Sequence, residues 1–285
     1  MFQRADHIAA EEIEDKFPLH AVDFHWDDFT PHMECCDLSS GQVSEFDLDD
    51  VGFSASKRKI CIGYWDDEKY VRCPNQAHVT RFDQCPQCAG ESFIPFQECI
   101  FEPKCHGEEC DLEFCRREHV LYIAFYDTRM KIGMSSTRRV DRRLIEQGAD
   151  AFSIIGKFGS RKKARDAEKD ISSRLKIPQF HRQQVLLDNL ARQVDSAGIE
   201  GRSEALSITL GEAYHLEPEP LRWLKDYPID LPLREPPKLL QSWGRHSGDL
   251  VGMKGKWLIF ESEGLKAISL PDLPARFLSR EPLGP

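Results

Sequence analysis

Cysteines carry the most specific chemical pattern in this sequence, and seven of the ten lie within a single stretch of 43 residues. Cys85-Pro-Gln-Cys88 brings two thiolates to the same side of a tight turn, as in a zinc knuckle. Zinc prefers four soft ligands in a tetrahedron, so this pair needs two more. Cys73 and Cys99 lie at spacings typical of a zinc ribbon, and Cys105 competes for the fourth position. We therefore predict a closed structural zinc site.

A second group of candidate ligands follows in the chain. Cys105, Cys110, Cys115 and His119 would form a closed site of three thiolates and one imidazole. The alternative for His119 is a polar residue at the start of a strand. A redox role for the CxxC pair is disfavoured, because the pair does not open a helix after a strand. An ion with four protein ligands has no open position for water, so both sites would be structural and would contribute to folding.

The composition indicates the environment in which these thiols are found. The chain has 285 residues, of which 40% are hydrophobic and 30% charged, which is ordinary for a soluble protein. No apolar run approaches the roughly 18–20 residues that a membrane span needs. The N-terminal residues are acidic and lack the apolar segment of a secretory signal. We therefore expect a cytoplasmic protein without a membrane partner, in which thiols stay reduced and are available to metals.

The stretch after the cysteines contains the other candidate functional residues. Its pattern predicts a β-hairpin, a helix, a strand and a second helix. Tight-turn residues join the two hairpin strands, and Thr137 and Ser160 are predicted to cap the two helices. A glycine is expected to close the first helix. The predicted elements are strands Val120–Phe125 and Met130–Met134, a helix from Thr137 to Gly148, strand Ala151–Phe158 and helix Arg161–Leu175.

That order of elements, with a Tyr on the first strand and a Gly after the second, resembles the GIY-YIG nuclease domain. Val120-Leu121-Tyr122 stands where the family has Gly-Ile-Tyr, and Lys131-Ile132-Gly133 where it has Tyr-Ile-Gly. The family's Arg falls on Arg143 and its metal-holding Glu on Glu168. Lys131 departs from the family pattern, because it replaces the second Tyr.

The resemblance implies metal-assisted phosphodiester hydrolysis. Glu168 would hold Mg²⁺ or Mn²⁺, Arg143 would grip the scissile phosphate, and Tyr122 would align or deprotonate the attacking water. Lys131 would bind phosphate as a point charge, and it can act as a base only if its pKa is depressed. The alternative is a zinc-stabilised module that has lost catalysis and binds nucleic acid or a protein. In that case Glu168 would only pair with a basic neighbour.

Charge distribution agrees with a nucleic-acid partner. Residues 116–182 contain 17 Lys and Arg against 8 Asp and Glu, whereas the whole chain has a net charge of −10. A basic block within an acidic protein is typical of a phosphate-binding surface. The alternative is that these residues are only solvated helix faces. The candidate nucleic-acid contacts are Arg138, Arg139, Arg142, Arg161, Lys162 and Lys163.

The predicted fold class is α+β, with the nuclease-like core between other units. The predicted domains are a β-rich region (1–72), a Cys-rich zinc segment (73–118), the core (119–195), and a helical connection with a C-terminal β unit (196–285). Residues 195–202 are predicted to be a glycine-containing connection, and residues 212–225 a short helix. The strands near both chain ends are each too few to bury a core alone, so we predict that they pack together.

Three further motifs resemble a prokaryotic family, a domain of unknown function that combines Cys motifs with a GIY-YIG-like core. They are Cys61-Ile-Gly-Tyr64 ahead of the CxxC pair, Glu146-Gln-Gly-Ala149 after the basic helix, and Gly252-Met-Lys-Gly255. The resemblance runs from about residue 61 to residue 270. It implies a fold rather than a reaction.

Overall fold

The computed structural model describes residues 16–67, 69–90 and 113–280, which form a mixed α+β fold with four sheets. The described strands are β1 (Leu19–Asp27), β2 (Thr30–Asp37), β3 (Val43–Glu45), β4 (Phe53–Lys59), β5 (Tyr64–Asp66), β6 (Lys69–Val71), β7 (His119–Tyr126), β8 (Arg129–Ser136), β9 (Ala151–Phe158), β10 (Arg222–Trp223), β11 (Lys238–Leu239), β12 (Gly244–His246), β13 (Asp249–Lys254), β14 (Trp257–Glu261), β15 (Leu265–Ser269) and β16 (Arg276–Arg280). The described α-helices are α1 (Pro86–Ala89), α2 (Glu113–Arg116), α3 (Val140–Gln147), α4 (Arg161–Leu175), α5 (Gln183–Asn189) and α6 (Ser196–Tyr214).

A four-stranded antiparallel sheet of order β10-β9-β7-β8 forms the middle of the molecule. Every residue of β7 is buried, because both faces of this sheet are covered. Alternate side chains of a strand point to opposite faces. Leu121, Ile123 and Phe125 pack with residues of α4 and α6, whereas Tyr122 and Ala124 pack with α3 and the other two large sheets. Burial on both faces explains the uninterrupted apolar run that the sequence shows here.

The observed limits of strands and helices confirm most of the elements predicted for residues 120–175. Strand β9 and helix α4 have the predicted limits, and the Ser160 hydroxyl accepts a hydrogen bond from the Lys163 N–H at 3.3 Å. Gly148 closes α3 in the left-handed conformation. The Thr137 cap is wrong: its hydroxyl donates to the Glu118 carboxylate at 2.8 Å, and α3 starts at Val140. Among the described helices, none has the length and apolar character needed to cross a membrane.

The largest sheet joins residues from both ends of the described chain. Its strand order is β12-β4-β16-β1-β2-β3, so β16 lies between two strands that precede it by more than 200 residues. Strands β13, β14 and β15 form a separate sheet with β11. Both sheets contribute to one buried cluster, in which Met33 and Phe53 share the core with Leu258 and Phe260. The N-terminal strands therefore pair with β12 and β16 in one sheet and pack against the separate sheet of β13, β14 and β15.

Two predictions for the segment after the core are wrong. Residues 195–202 do not form a connection, because α6 starts at Ser196 with Asp195 as its cap, accepting the Gly198 N–H at 2.9 Å. Residues 212–225 do not form a helix, because α6 ends at Tyr214 and Trp223 lies in β10, opposite Ala151. A strand of two residues is set by its neighbour in the sheet, and no local pattern indicates it.

We expect that Leu278→Ala lowers the free energy of unfolding by about 2–5 kcal/mol, because it opens a cavity in a fully buried position of β16. Urea denaturation of the full chain measures this change. Ile208→Ala in exposed α6 is the matched control, with an expected change within about 0.5 kcal/mol. Equal effects of the two substitutions would contradict the central position of β16.

Candidate functional site

Four buried cysteines form a compact group, which we call the tetracysteine cluster: Cys61, Cys73, Cys85 and Cys88. Their sulfur atoms all lie within 4.8 Å of one another, and the Cys73 and Cys85 sulfurs are 3.9 Å apart. Around tetrahedral zinc with Zn–S bonds of about 2.3 Å, sulfurs would be about 3.8 Å apart. A disulfide needs about 2.05 Å, so these are free thiols. The cluster has the donor set and spacing to hold a metal ion such as zinc.

Backbone groups hold the thiols in place. Cys61 lies two residues after the end of β4, Cys73 lies two residues after β6, and Cys85 is the N-cap residue of helix α1, which contains Cys88. The N–H groups of Gly63 and Cys85 donate to the Cys61 sulfur at 3.5 and 3.2 Å. Such bonds stabilise a thiolate. The turn of α1 therefore supplies two ligands and also supports a third.

The pKa values of the thiols indicate that all four can ionise only with a cation between them. Burial raises the pKa of Cys61, and burial together with the neighbouring thiols raises that of Cys88. Burial acts in the same direction on Cys73, but hydrogen bonds from the backbone of Ala77 and Asn75 and from the neighbouring thiols together outweigh it and lower its pKa to about 7. Four buried thiolates repel one another, so all four ionise only around a cation. The residues therefore fit zinc.

Three of the predicted ligands, Cys73, Cys85 and Cys88, are brought together as the sequence indicated. Cys61 is the fourth member of the cluster and was not predicted as a ligand, because it lies in the predicted β-rich region, residues 1–72, and not in the Cys-rich segment. A signal for it exists: Cys61-x11-Cys73 repeats the spacing of Cys73-x11-Cys85. The cluster therefore spans the predicted boundary between residues 72 and 73.

The other predicted ligands are only partly within the described residues. Cys99, Cys105 and Cys110 lie outside them. Cys115 in α2 and His119 in β7 are both buried, and a ring nitrogen of His119 lies 2.8 Å from the Arg117 carbonyl oxygen. The second metal site therefore stays a prediction.

A cleft of about 450 Å³ opens beside the middle sheet, and we call it the cationic cleft. Helix α3 buries Val140, Leu144 and Ile145, which turns the neighbouring arginines away from the core. The cleft takes residues from all three large sheets. Its lining comprises Phe24, Tyr126, Lys131, Arg139, Arg143, Glu146, Gln147, Phe180, His181, Leu186, Lys256 and Pro271.

Tyr122 is buried and does not itself line the cleft, but it is hydrogen-bonded to the lining residue Gln147 and lies opposite Gly133 on β8. A side chain at Gly133 would collide with the phenol, since an added Cβ would lie 2.5 Å from Tyr122 Oη. Gln147 links the two strands: its Nε2 donates to Tyr122 Oη at 3.0 Å, and its Oε1 accepts from Lys131 Nζ at 2.5 Å. Burial raises the pKa of Tyr122, so the phenol stays protonated at neutral pH.

Positive charge is concentrated at the cleft. Burial, together with the charges of Arg143 and Lys256, lowers the pKa of Lys131 to about 8. Burial also lowers the pKa of Lys256. Lys256 comes from the turn between β13 and β14, more than 110 residues beyond Arg143, and the sequence did not indicate it. Three cations from two parts of the chain repel one another, and an anion between them would relieve that repulsion.

Glu168 lies in α4 and is only 4% exposed. Its carboxylate accepts a hydrogen bond from Arg165 Nη1 at 2.6 Å, and this nitrogen also donates to Gln179 Oε1 at 2.9 Å. Burial raises the pKa of Glu168, whereas Arg165 and Lys131 act to lower it. Glu168 is thus close enough to interact with Lys131, but it does not line the cationic cleft.

The predicted nucleic-acid contacts differ in their exposure to solvent and in their ion pairing. Arg161 is 6% exposed and therefore belongs to the interior, which corrects its assignment to a surface. Arg139 and Arg142 pair with Glu146 at 3.2 Å, and Lys162 pairs with Asp166 at 2.7 Å. Arg138, Arg139 and Arg142 are exposed.

The fold and site define a mixed α+β protein with a buried tetracysteine cluster and a cationic cleft. Residues 50–270 match the family described as Protein of unknown function (DUF2797), and the chain belongs to this family. The matched range includes all four clustered cysteines and the residues of the middle sheet. No curated protein and no solved structure matches the chain.

We expect the purified protein to contain zinc, and Cys61→Ser to remove one zinc ion. Loss of a structural metal should lower the free energy of unfolding by more than about 4 kcal/mol. Native mass spectrometry counts the ions, and urea denaturation gives the stability. Cys35→Ser, at a buried thiol in β2 outside the cluster, is the control and should keep the metal. If Cys61→Ser binds as many zinc ions as the wild-type protein, the fourth ligand is a residue other than Cys61.

Proposed function

We propose that this protein is a nucleic-acid-binding protein with a GIY-YIG-like core, in which the cationic cleft holds a backbone phosphate. The observation that carries the proposal is the convergence of Lys131, Arg143 and Lys256 on one cleft. Arg143 offers a planar fork suited to two phosphate oxygens, and the lysines act as point charges. Glu146 is the single acidic residue of the lining, and Arg139 partly neutralises it.

The arrangement of elements supports the GIY-YIG-like core. A hairpin, a helix, a strand and a second helix follow one another as β7, β8, α3, β9 and α4. The two half-motifs lie side by side, with Tyr122 packed against Gly133. The family's Arg and Glu positions fall on α3 and α4. This is an analogy at the level of the fold, and the function is argued from the cleft.

Further basic residues are candidates for phosphate contacts. Arg139 lines the cleft, and Arg138 and Arg142 are exposed with it at the start of α3. Lys162 and Lys163 lie in the first turn of α4. The ion pairs with Glu146 are surface pairs, which are worth about 0–1 kcal/mol each, so a phosphate can replace them at little cost. Zinc in the tetracysteine cluster would be structural, because four thiolates leave no position open.

We expect Arg143→Ala to weaken DNA binding about tenfold and to reduce the dependence of log K on log salt by about one, because it removes a phosphate contact. Glu168→Gln should leave binding unchanged or improve it, since it removes a negative charge while preserving the shape. Fluorescence anisotropy across a salt series measures both. Lys238→Ala, at an exposed cation on β11, is the control. Unchanged binding by Arg143→Ala would exclude the phosphate contact.

A second candidate function, phosphodiester hydrolysis, is favoured by the environment of Lys131. With a pKa lowered to about 8, its amine is partly neutral near neutral pH and can accept a proton from water. The water oxygen would attack phosphorus, and the ester oxygen would leave. A divalent ion at Glu168 would stabilise charge on that leaving oxygen. Ion binding requires Arg165 to move, because its Nη1 lies 2.6 Å from the carboxylate.

If the protein is a nuclease, plasmid nicking with Mn²⁺ should accelerate as pH rises toward about 8, because Lys131 loses its proton over that range. Lys131→Met should abolish the pH dependence and most of the rate. Glu168→Gln should abolish nicking while preserving DNA binding. If the wild-type protein binds DNA but does not nick it in the presence of Mn²⁺, hydrolysis is excluded and the binding function remains.

A further inference from the structure

Phe180 is the most exposed large hydrophobic residue in the described part of the chain, with 77% of its surface accessible. It lines the cationic cleft together with Lys131, Arg143 and Lys256. Exposure of a phenyl ring to water is unfavourable, and large exposed hydrophobic groups beside polar ones are typical of binding surfaces. Nothing in the binding of a phosphate alone requires this ring.

The segment that carries Phe180 is tied to strand β8 on both sides of Lys131. The Ile132 N–H donates to the Pro178 carbonyl oxygen at 3.0 Å, and a ring nitrogen of His181 lies 3.1 Å from the Met130 carbonyl oxygen. Both residues next to Lys131 are therefore bonded to residues near Phe180. The ring is presented at a defined place beside the lysine, and its exposure follows from that attachment.

An aromatic ring beside several cations is the combination that recognises an unpaired nucleotide. The ring stacks on the face of a base, and the cations hold the phosphate. Within a duplex, each base is already stacked on its neighbours, so its faces are not accessible to a side chain. A cleft of about 450 Å³ is of the size that encloses a small molecule, and a duplex is far larger.

We propose that the cationic cleft binds an unpaired nucleotide of a nucleic acid, with the base stacked on Phe180 and its phosphate held by Lys131, Arg143 and Lys256. This inference rests on the proposed function and names its substrate class as single-stranded nucleic acid, or a duplex with an unpaired end. An acidic protein partner would use the same cations. It would not distinguish a phenyl ring from an aliphatic side chain of similar size, and the test below uses that difference.

The test compares the full-length protein and its Phe180 variants by fluorescence anisotropy, with labelled oligothymidylate and a labelled duplex of equal length. Phe180→Ala and Phe180→Leu should weaken single-strand binding about tenfold, because each loses base stacking. Phe180→Tyr keeps a stacking ring and should bind within about twofold of wild type. Ile208→Ala, at an exposed aliphatic residue in α6, is the control. Thermal unfolding verifies that each variant is folded, as expected for changes at an exposed position.

Two readouts distinguish stacking from other roles. The salt slope of Phe180→Ala should equal that of wild type, because no phosphate contact is removed. Duplex binding should be weaker than single-strand binding and insensitive to residue 180. Equal single-strand binding by wild type and Phe180→Ala, or tight binding by Phe180→Leu, would overturn this inference and leave the proposed function intact. A wild-type protein that binds neither oligonucleotide would overturn both.

Discussion

A buried ion pair between Lys254 and Asp150 joins the C-terminal sheet to the segment between α3 and β9 of the middle sheet. Lys254 Nζ lies 2.6 Å from Asp150 Oδ1, with the two side chains only 5% and 13% exposed. The same ammonium group lies 4.4 Å from the centroid of the Tyr227 ring. Loss of one partner would leave a buried charge, which costs about 3–5 kcal/mol. Beside the pair, Gly255 touches Gly148 so closely that a side chain at Gly255 would collide with the backbone.

This docking decides the composition of the cationic cleft. Trp26 of the N-terminal sheet donates its indole N–H to the Gly255 carbonyl at 2.7 Å, so all three large sheets meet at this turn. Lys256 is the next residue, and it therefore reaches the cleft that contains Lys131 and Arg143. Burial is the main cause of the lowered pKa of Lys131, and repulsion from Arg143 and Lys256 adds to it. An anion bound between these cations, as proposed, would relieve that repulsion.

In the proposed function, the balance between binding and hydrolysis would depend on Arg165. Its guanidinium already satisfies the Glu168 carboxylate, so a divalent ion would have to displace it, whereas a phosphate in the cleft would replace only surface ion pairs with Glu146. The tetracysteine cluster has a different role. Among the described residues, the core around it includes few apolar side chains, such as Val79 and Ala275, so an ion there would add to the stability of this part of the fold.

Local patterns in the sequence determined the elements whose causes are local. The limits of β9 and α4 were predictable, because alternation, a Ser cap and a following proline act within a few residues. The same holds for the Cys85–Cys88 turn. Only the tertiary structure decided that Cys61 completes the cluster, that Lys256 enters the cleft, and that Arg161 is buried. These three depend on contacts between segments far apart in the chain. Apart from the repeated spacing of Cys61, Cys73 and Cys85, the local patterns of the sequence carry no information about which segments meet.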